Sequence, residues 1–515
     1  MILNRINDHL VSSVYPESQC GFRAGRGTVD MAFGLRQMQE KAREHNMDLY
    51  VVFVDLTKAF DTVSRETLWK VLSKLGVPQD MLSVICSFHE GMKAFVSSGG
   101  QTSNIFSVTN GTKQGCVLAP VLFALFFSVM LQSAFCDLDK GVNIQFRSSG
   151  GLFNQQRLKA KTKTRTQLLR DLLFADDAAL LAHSIEEMQE IVDRFSDAAK
   201  AFGLTISIKK TKLLHQPRPK FPATDDHIYI DNKPLDNVNS FVYLGSTVTS
   251  TALLDTEIAA RIAKASASFG KLTDRLWKEH DVSIKTKINV YNTVVIPTLL
   301  FGCETWTPYR KQIKHLDAFH MRCLRSICGI SWEDKARNSD ILTLCKTTGI
   351  EAFLIKAQCR WVGHVIRMDD DRIPKILLYG QIPDAPRRVG RPLLRYKDKL
   401  KSNLKALNFD LAQWETSTLH RGTWRTSCWE KLNVFEAQRL QHFDQLYAQA
   451  KQRTAQPHNG PWFTCEVCGF KCKARIGLVS HSRTHAQQIE IKCVICNKPC
   501  KSKGGLKLHM KTHAT

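Results

Sequence analysis

Apolar and polar positions alternate with different periods along the chain, and the changes of period mark out its elements. Met31, Leu35, Met38 and Ala42 recur on one helical face, and Thr28 stands where a cap would. YVVFV (50–54) is an unbroken apolar run ending in Asp55, the pattern of a strand buried on both faces. From Ser64 onward, Leu68, Val71, Leu72 and Leu75 form a stripe that Gly76 and Pro78 stop. LLFA (172–175), Asp176–Asp177 and AALLA (178–182) predict two strands joined by a two-residue turn. Residues 186–202 predict an amphipathic helix ending at Gly203, residues 252–370 predict mostly helix, and the polar QRTAQPHNGP (452–461) predicts a linker. The class is α+β.

Val117–Phe135 contains nineteen residues without a charge, long enough for a membrane span. Pro120 suits a first helical turn, Ser128 and Gln132 are polar, and no tight basic cluster flanks the stretch, so a buried core helix is expected and no membrane partner. The opening MILNRINDHL places charges where a secretory signal has its apolar core, so none is expected. Most of the 16 Cys stand singly in apolar surroundings, the usage of a reduced, intracellular protein. The formal charge of +24 points to nucleic acid or an anionic surface.

Asp55, Asp176 and Asp177 each end or begin an apolar run. Charges in such places cost several kcal/mol unless compensated. Mg²⁺ is a natural compensation, because one or two carboxylates hold it while substrate phosphates complete its shell. Two such ions can clamp the attacking and leaving oxygens of a phosphoryl transfer. Taken alone, an Asp-Asp pair is more often an ordinary turn.

Further motifs change that balance. VFVDLTKAFDTV (52–63), NGTKQGCVLAPVLF (110–123), LLFADDAALLA (172–182), GLTISIKKTKLL (203–214) and FVYLGS (241–246) resemble, in order and spacing, motifs A to E of non-LTR (LINE-type) retrotransposon reverse transcriptases. QCGFRAGRGTVD (19–30) resembles the fingers motif before motif A. The resemblance covers roughly residues 1–400. It implies a right-hand polymerase fold: partial fingers over 1–48, palm over 49–250, a helical thumb-like region over 251–345, and a helical, basic region over 346–450. A linker (451–462) and two small ββα fingers (463–515) follow.

The resemblance also implies roles. Asp55, Asp176 and Asp177 would be catalytic and hold two Mg²⁺ ions. Phe60 would exclude a ribose 2′-hydroxyl. Gln114 and Gly115 would lie against the incoming nucleotide, Lys210 near the leaving pyrophosphate, and Arg23 and Arg26 against the triphosphate. Asp61 is expected to cap the helix that follows it. Ser207 stands where motif D usually carries Asn. The implied partners are an RNA template, a DNA primer or target and dNTPs, in the nucleus. The competing reading is a catalytically decayed polymerase acting as a zinc-finger nucleic-acid binder.

RLKAKTKTR (157–165) places Arg157, Lys159, Lys161, Lys163 and Arg165 at alternate positions, one face of an extended strand suited to a phosphate backbone. A solvated flap explains it equally well.

Cys465-x2-Cys468-x12-His481-x3-His485 and Cys493-x2-Cys496-x12-His509-x3-His513 both have two-Cys, two-His zinc-finger spacing. Leu478 and Leu506 would fill the small cores, and Cys472 and Cys500 replace the usual core Phe. The base-reading positions are Ala474, Gly477 and Ser480, then Ser502, Gly505 and Leu508, none able to make bidentate base contacts. Residues 451–515 hold 12 basic and 2 acidic residues, so contact with the nucleic-acid backbone is expected.

Overall fold

The computed structural model describes residues 2–113, 115–222, 226–331, 333–383, 385, 387, 394–455, 460–486, 491–493, 496 and 499–500. The chain divides into two units, Met1–Arg439 and Leu440–Thr515, each described by itself.

A helix over Thr28–Glu44 (α1) leads into the strand Leu49–Val54 (β1), every residue of which is buried. Gly27 holds the cap position of α1 in place of the expected Thr28, and the Asp30 carboxylate accepts from its N–H at 3.0 Å. Arg65–Lys74 (α2) starts at Ser64, whose hydroxyl accepts from Thr67 N–H. Ser64 therefore does the capping expected of Asp61, which lies inside a short helix, Ala59–Thr62. Ala119–Phe135 (α3) is apolar on every side and buried, with Pro120 in its first turn. No helix among the described residues is long and apolar enough to cross a membrane.

Val142–Phe146 (β2) and Arg165–Leu169 (β3) form an antiparallel pair. Asp171–Phe174 (β4) and Asp177–Ala182 (β5) form a hairpin in which Phe174 opposes Asp177, so its turn is Ala175–Asp176. The sequence pattern placed the turn one residue later. Ala175 has φ +58°, and this left-handed residue lets the turn close early. Ile185–Ala201 (α4) follows, capped by Ser184, and Gly203 ends it at φ +76°. Lys212–Gln216 (β6) and Asp236–Asn237 (β7) complete a five-stranded sheet of order β7-β6-β1-β5-β4.

Strand alternation divides the sheet between two cores. Val52, Val54, Ala178, Leu180 and Leu213 face α3 and α4. Val51, Phe53, Ala179, Leu181 and Leu214 face α1, residues 373–377 and the hairpin of Ser240–Tyr243 (β8) with Ser246–Thr249 (β9). The central strands are buried on both faces, which explains their continuous apolar runs.

Beyond the sheet the first unit is helical, as expected, with Asp255–Lys271 (α5), Arg310–Cys328 (α6), Ile350–Ile366 (α7), Ile373–Tyr379 (α8) and Tyr396–Ala406 (α9). A third core gathers Trp361, Trp414, Trp424, Tyr379 and Tyr396 around Phe33 of α1. Polar contacts reinforce it: Lys41 Nζ donates to Gly380 O at 2.7 Å, and Tyr396 N–H to Glu40 at 2.8 Å. Residues 346–439 are thus packed onto the same helix that backs the sheet.

A helix over Arg421–Ala455 (α10) occupies the start of the expected linker, and residues 456–459 lie outside the described ones. In the second unit, Phe463–Thr464 (β10) and Lys471–Cys472 (β11) pair ahead of Arg475–Ala486 (α11). Ile491–Lys492 (β12) and Pro499–Cys500 (β13) form a second short hairpin.

Candidate active site

Pairing of β1 with β5 sets Val54 opposite Ala178, so Asp55 leaves the end of β1 beside Asp177 at the start of β5. The polar groups of Asp55 are tightly held. Its N–H donates to Thr211 Oγ1 at 3.2 Å, and its carbonyl accepts from Ser207 N–H at 2.8 Å. Leu56 forms an antiparallel bridge with Ile206, so residues 205–211 run alongside the strand end before entering β6. That path carries Lys210 Nζ to 3.2 Å from Asp55 Oδ2. The approach is off-axis, and Oδ2, shut away from solvent, has no hydrogen-bond partner among the described residues. Asp55, Asp177, Lys209, Lys210, Phe53 and Tyr243 line one cavity.

Burial raises the Asp176 carboxyl, and the charge of Asp55 adds to it. Asp177 is pushed up to about 6 by burial, then by the charges of Asp176 and Asp55. Three carboxylates that repel one another, one of them drawing in the Lys210 ammonium, fit divalent cations. Below about pH 6 a proton on Asp177 would compete with any metal held there. The Mg²⁺ concentration for half-maximal activity should therefore rise about fourfold from pH 7.5 to 5.5. Mg²⁺ titration at each pH measures this, and a constant midpoint would contradict it.

Two supporting residues have no assigned role in the motif reading. Gln19 is fully buried, and its side-chain amide bonds both backbone groups of Ala175, the residue before Asp176. Gly21 lies so close to this turn that an added Cβ would sit 2.1 Å from Ala175 N and 2.8 Å from its Cα. The Gly21→Ala variant should push the turn away and lower activity at least tenfold, by an order-of-magnitude reading of misplaced catalytic groups. A steady-state rate equal to wild type would refute this. A glycine can signal such close approach in sequence, whereas nothing marks the role of Gln19.

In the second unit, Cys465, Cys468, His481 and His485 offer ligand atoms all within 4.8 Å of one another. Cys465 Sγ lies 3.4 Å from His485 Nε2, Cys468 Sγ 3.0 Å from His481 Nε2, and the two Nε2 atoms are 3.1 Å apart. These separations suit four ligands around one tetrahedral zinc ion. Cys472 is buried against Gly477 and lies outside the set, so it packs and does not ligate. Cys493 is buried and Cys496 exposed, whereas His509 and His513 lie outside the described residues.

A family model described as Reverse transcriptase (RNA-dependent DNA polymerase) matches residues 1–248. These residues are similar to a reverse transcriptase domain. A second model, Zinc finger, C2H2 type, matches residues 491–513. A transposon-derived protein of Caenorhabditis elegans is 27% identical over 274 residues, covering 50% of this chain and 94% of that protein. The RNA-directed DNA polymerase from mobile element jockey of Drosophila funebris is 24% identical over 346 residues, covering 66% of this chain. The chain spans only 35% of that relative's length. Among solved structures, apo telomerase from Candida tropicalis aligns over 74% of this chain and 61% of its own, with TM-score 0.35 and 12% identity.

The other candidate residues of this region are placed as follows. Phe60 stacks on Phe123 with ring centroids 4.4 Å apart and meets Phe22 edge-on at 6.4 Å. Gly111 N–H donates to Val63 O and Thr112 N–H to Phe60 O, so the motif B loop is built directly onto motif A. Arg65 secures that loop by donating to the carbonyls of His89, Val108, Asn110 and Gly111. Gly115 is left-handed at φ +84° with open space where a side chain would be, and Gln114 lies outside the described residues.

Arg26 forms an ion pair with Glu17, and Arg23 donates to Pro16 O at 3.3 Å. Both arginines are thus engaged within their own segment. Residues 157–165 do not form the expected single basic face. Gln155–Lys159 and Lys161–Lys163 are short 3-10 turns, and only from Arg165 is the chain extended. Arg157 is buried, donating to Gly151 O, Arg147 O and Tyr379 O. It is a structural residue, while Lys159, Lys163 and Arg165 remain exposed and the Lys161 side chain lies outside the described ones.

Proposed function

We propose that the chain is the RNA-directed DNA polymerase of a non-LTR retrotransposon, built as fingers, palm and thumb and tethered to nucleic acid by two C-terminal zinc fingers. The convergence of Asp55 with Asp176 and Asp177, far apart in sequence, at one end of the sheet's inner strands carries this reading. The supporting context is the similarity to a reverse transcriptase domain.

The three carboxylates would hold two Mg²⁺ ions, which when bound supply activation of the primer 3′-hydroxyl and charge stabilisation on the leaving pyrophosphate. The chain's own residues set the geometry. Thr211 and Ser207 fix the Asp55 backbone, and Phe60, braced by Phe123, presents a ring wall where a ribose 2′-hydroxyl would otherwise fit. Lys210, on a solvent-exposed stem beside Asp55, is within reach of a triphosphate's charge. The 3′-hydroxyl attacks the α-phosphate of a dNTP, the bond to the β-phosphate breaks, and pyrophosphate leaves. RNA serves as template, DNA as primer, and the nucleus as the place of action. A nick in target DNA would come from another activity.

Primer extension tests the proposal, using the zinc-loaded chain, an RNA template, a DNA primer, dNTPs and Mg²⁺. Extension that disappears in the Asp176→Ala, Asp177→Ala double variant supports it. A folded, template-binding chain that never extends a primer is the result expected of a decayed polymerase.

A further inference from the structure

Asp176 sits on a turn that is held from outside the hairpin. Ala175 adopts φ +58°, a region that favours glycine, and nothing within the two-residue turn compensates. The compensation comes from residues 18–21. Gln19 Oε1 accepts from Ala175 N–H at 2.9 Å and from Gly21 N–H at 2.8 Å, and Gln19 Nε2 donates to Ala175 O at 3.1 Å. Both backbone groups of Ala175 are thereby saturated by one fully buried side chain. Around it, Cys20 N–H donates to Leu173 O and Leu173 N–H to Ser18 O, each at 3.0 Å, so the segment adds itself to the edge strand β4. Ser18 Oγ also donates to Asp171 at 2.6 Å.

The other end of this clamp is anchored far away in sequence. Arg372 Nε lies 3.0 Å from Glu17 and its Nη2 2.8 Å from Asp30, a carboxylate that is itself buried. Arg26 joins the same Glu17. The basic region after residue 345 therefore reaches back to the segment that holds the catalytic turn.

We propose that Gln19 is a positioning residue for Asp176: it holds the Ala175–Asp176 turn in its left-handed conformation, with Arg372 anchoring the clamp, so that the carboxylate meets divalent metal. A buried amide that merely filled the core could bond any neighbour. All three bonds of Gln19 instead go to the turn and to the segment that grips it. The proposal rests on the polymerase reading of the site.

The test uses the full-length, zinc-loaded chain. Gln19→Met keeps the volume and removes the three bonds. Its Mg²⁺ midpoint for primer extension should rise about tenfold or more, with primer–template affinity within twofold of wild type. Adding Ala175→Gly, which adopts positive φ without support, should return much of the midpoint. Core damage alone would not be rescued by a residue that lends the turn no packing. Arg372→Gln, which leaves the Gln19 side chain in place, should shift the midpoint in the same direction and serves if Gln19→Met does not fold.

Mn²⁺ binding, read by electron paramagnetic resonance without nucleotide, gives a second measure. If wild type extends primers and the Mg²⁺ midpoint of the variants is unchanged, the clamp is wrong and the polymerase reading stands. If wild type does not extend, the polymerase reading fails, and weaker Mn²⁺ binding by Gln19→Met than by wild type decides the clamp separately.

Discussion

Replacing Asp176 with Asn should lower primer extension about a thousandfold or more, roughly 4 kcal/mol of transition-state stabilisation, while primer–template binding is retained. The substitution preserves shape and hydrogen-bonding size, so the hairpin β4–β5 has no packing reason to change. It removes one negative charge from a group of three that already repel one another, as the raised carboxyls of Asp176 and Asp177 show. The metal-free variant should therefore melt at the same temperature as wild type or slightly higher, because a source of repulsion is gone. That opposite movement of activity and stability separates lost chemistry from lost folding. Single-turnover extension and thermal melting in EDTA make the comparison. Retained extension, or a fall in melting temperature that matches the fall in rate, would remove Asp176 from the catalytic centre.

The second large effect concerns zinc. The first finger packs very little: Cys472 is buried, while Phe463 and Leu478 are only half-buried. Val467, Phe470, Ile476 and Val479 are exposed, so apolar burial cannot hold the module together. Ligation of structural zinc is worth about 10 kcal/mol or more in modules of this size and has to supply the folding energy. Cys465→Ser should lower bound zinc from two ions per chain to one and open residues 463–486 to protease. The melting transition of residues 1–439, a separate compact unit, should stay within about 1 °C of wild type. Native mass spectrometry, limited proteolysis and calorimetry read the three quantities. Undiminished zinc content would exclude Cys465 as a ligand. A shifted main transition would mean that the first unit depends on the finger.

Local pattern and long-range packing contributed differently to what is known of this chain. The strand 49–54 and the core helix 119–135 were legible as unbroken apolar runs, and the helix ending at Gly203 by its periodic apolar face; both signals are local. The four ligands of the first finger were legible because metal geometry imposes a spacing on the chain itself. The three aspartates were legible as candidates from their place at strand ends.

Their assembly was not. Bringing Asp55 beside Asp177 is a matter of strand register, and the turn fell one residue earlier than its composition suggested because Gln19 supports Ala175 from outside the hairpin. The same limit explains Arg157. Alternation with Lys159 and Lys163 marks it as a surface charge, yet three carbonyls draw it into the core.

By itself, then, the sequence determined the elements, the chemistry of their end residues and the zinc-binding spacing, all of which depend on neighbours a few positions away. Only the tertiary structure decided which carboxylates meet, which arginines are already engaged, and that Arg372 reaches back to Glu17 and Asp30, beside the segment bonded to the Ala175–Asp176 turn. Those outcomes depend on which distant donors and acceptors become buried together, and such polar pairing leaves no periodic trace in the chain.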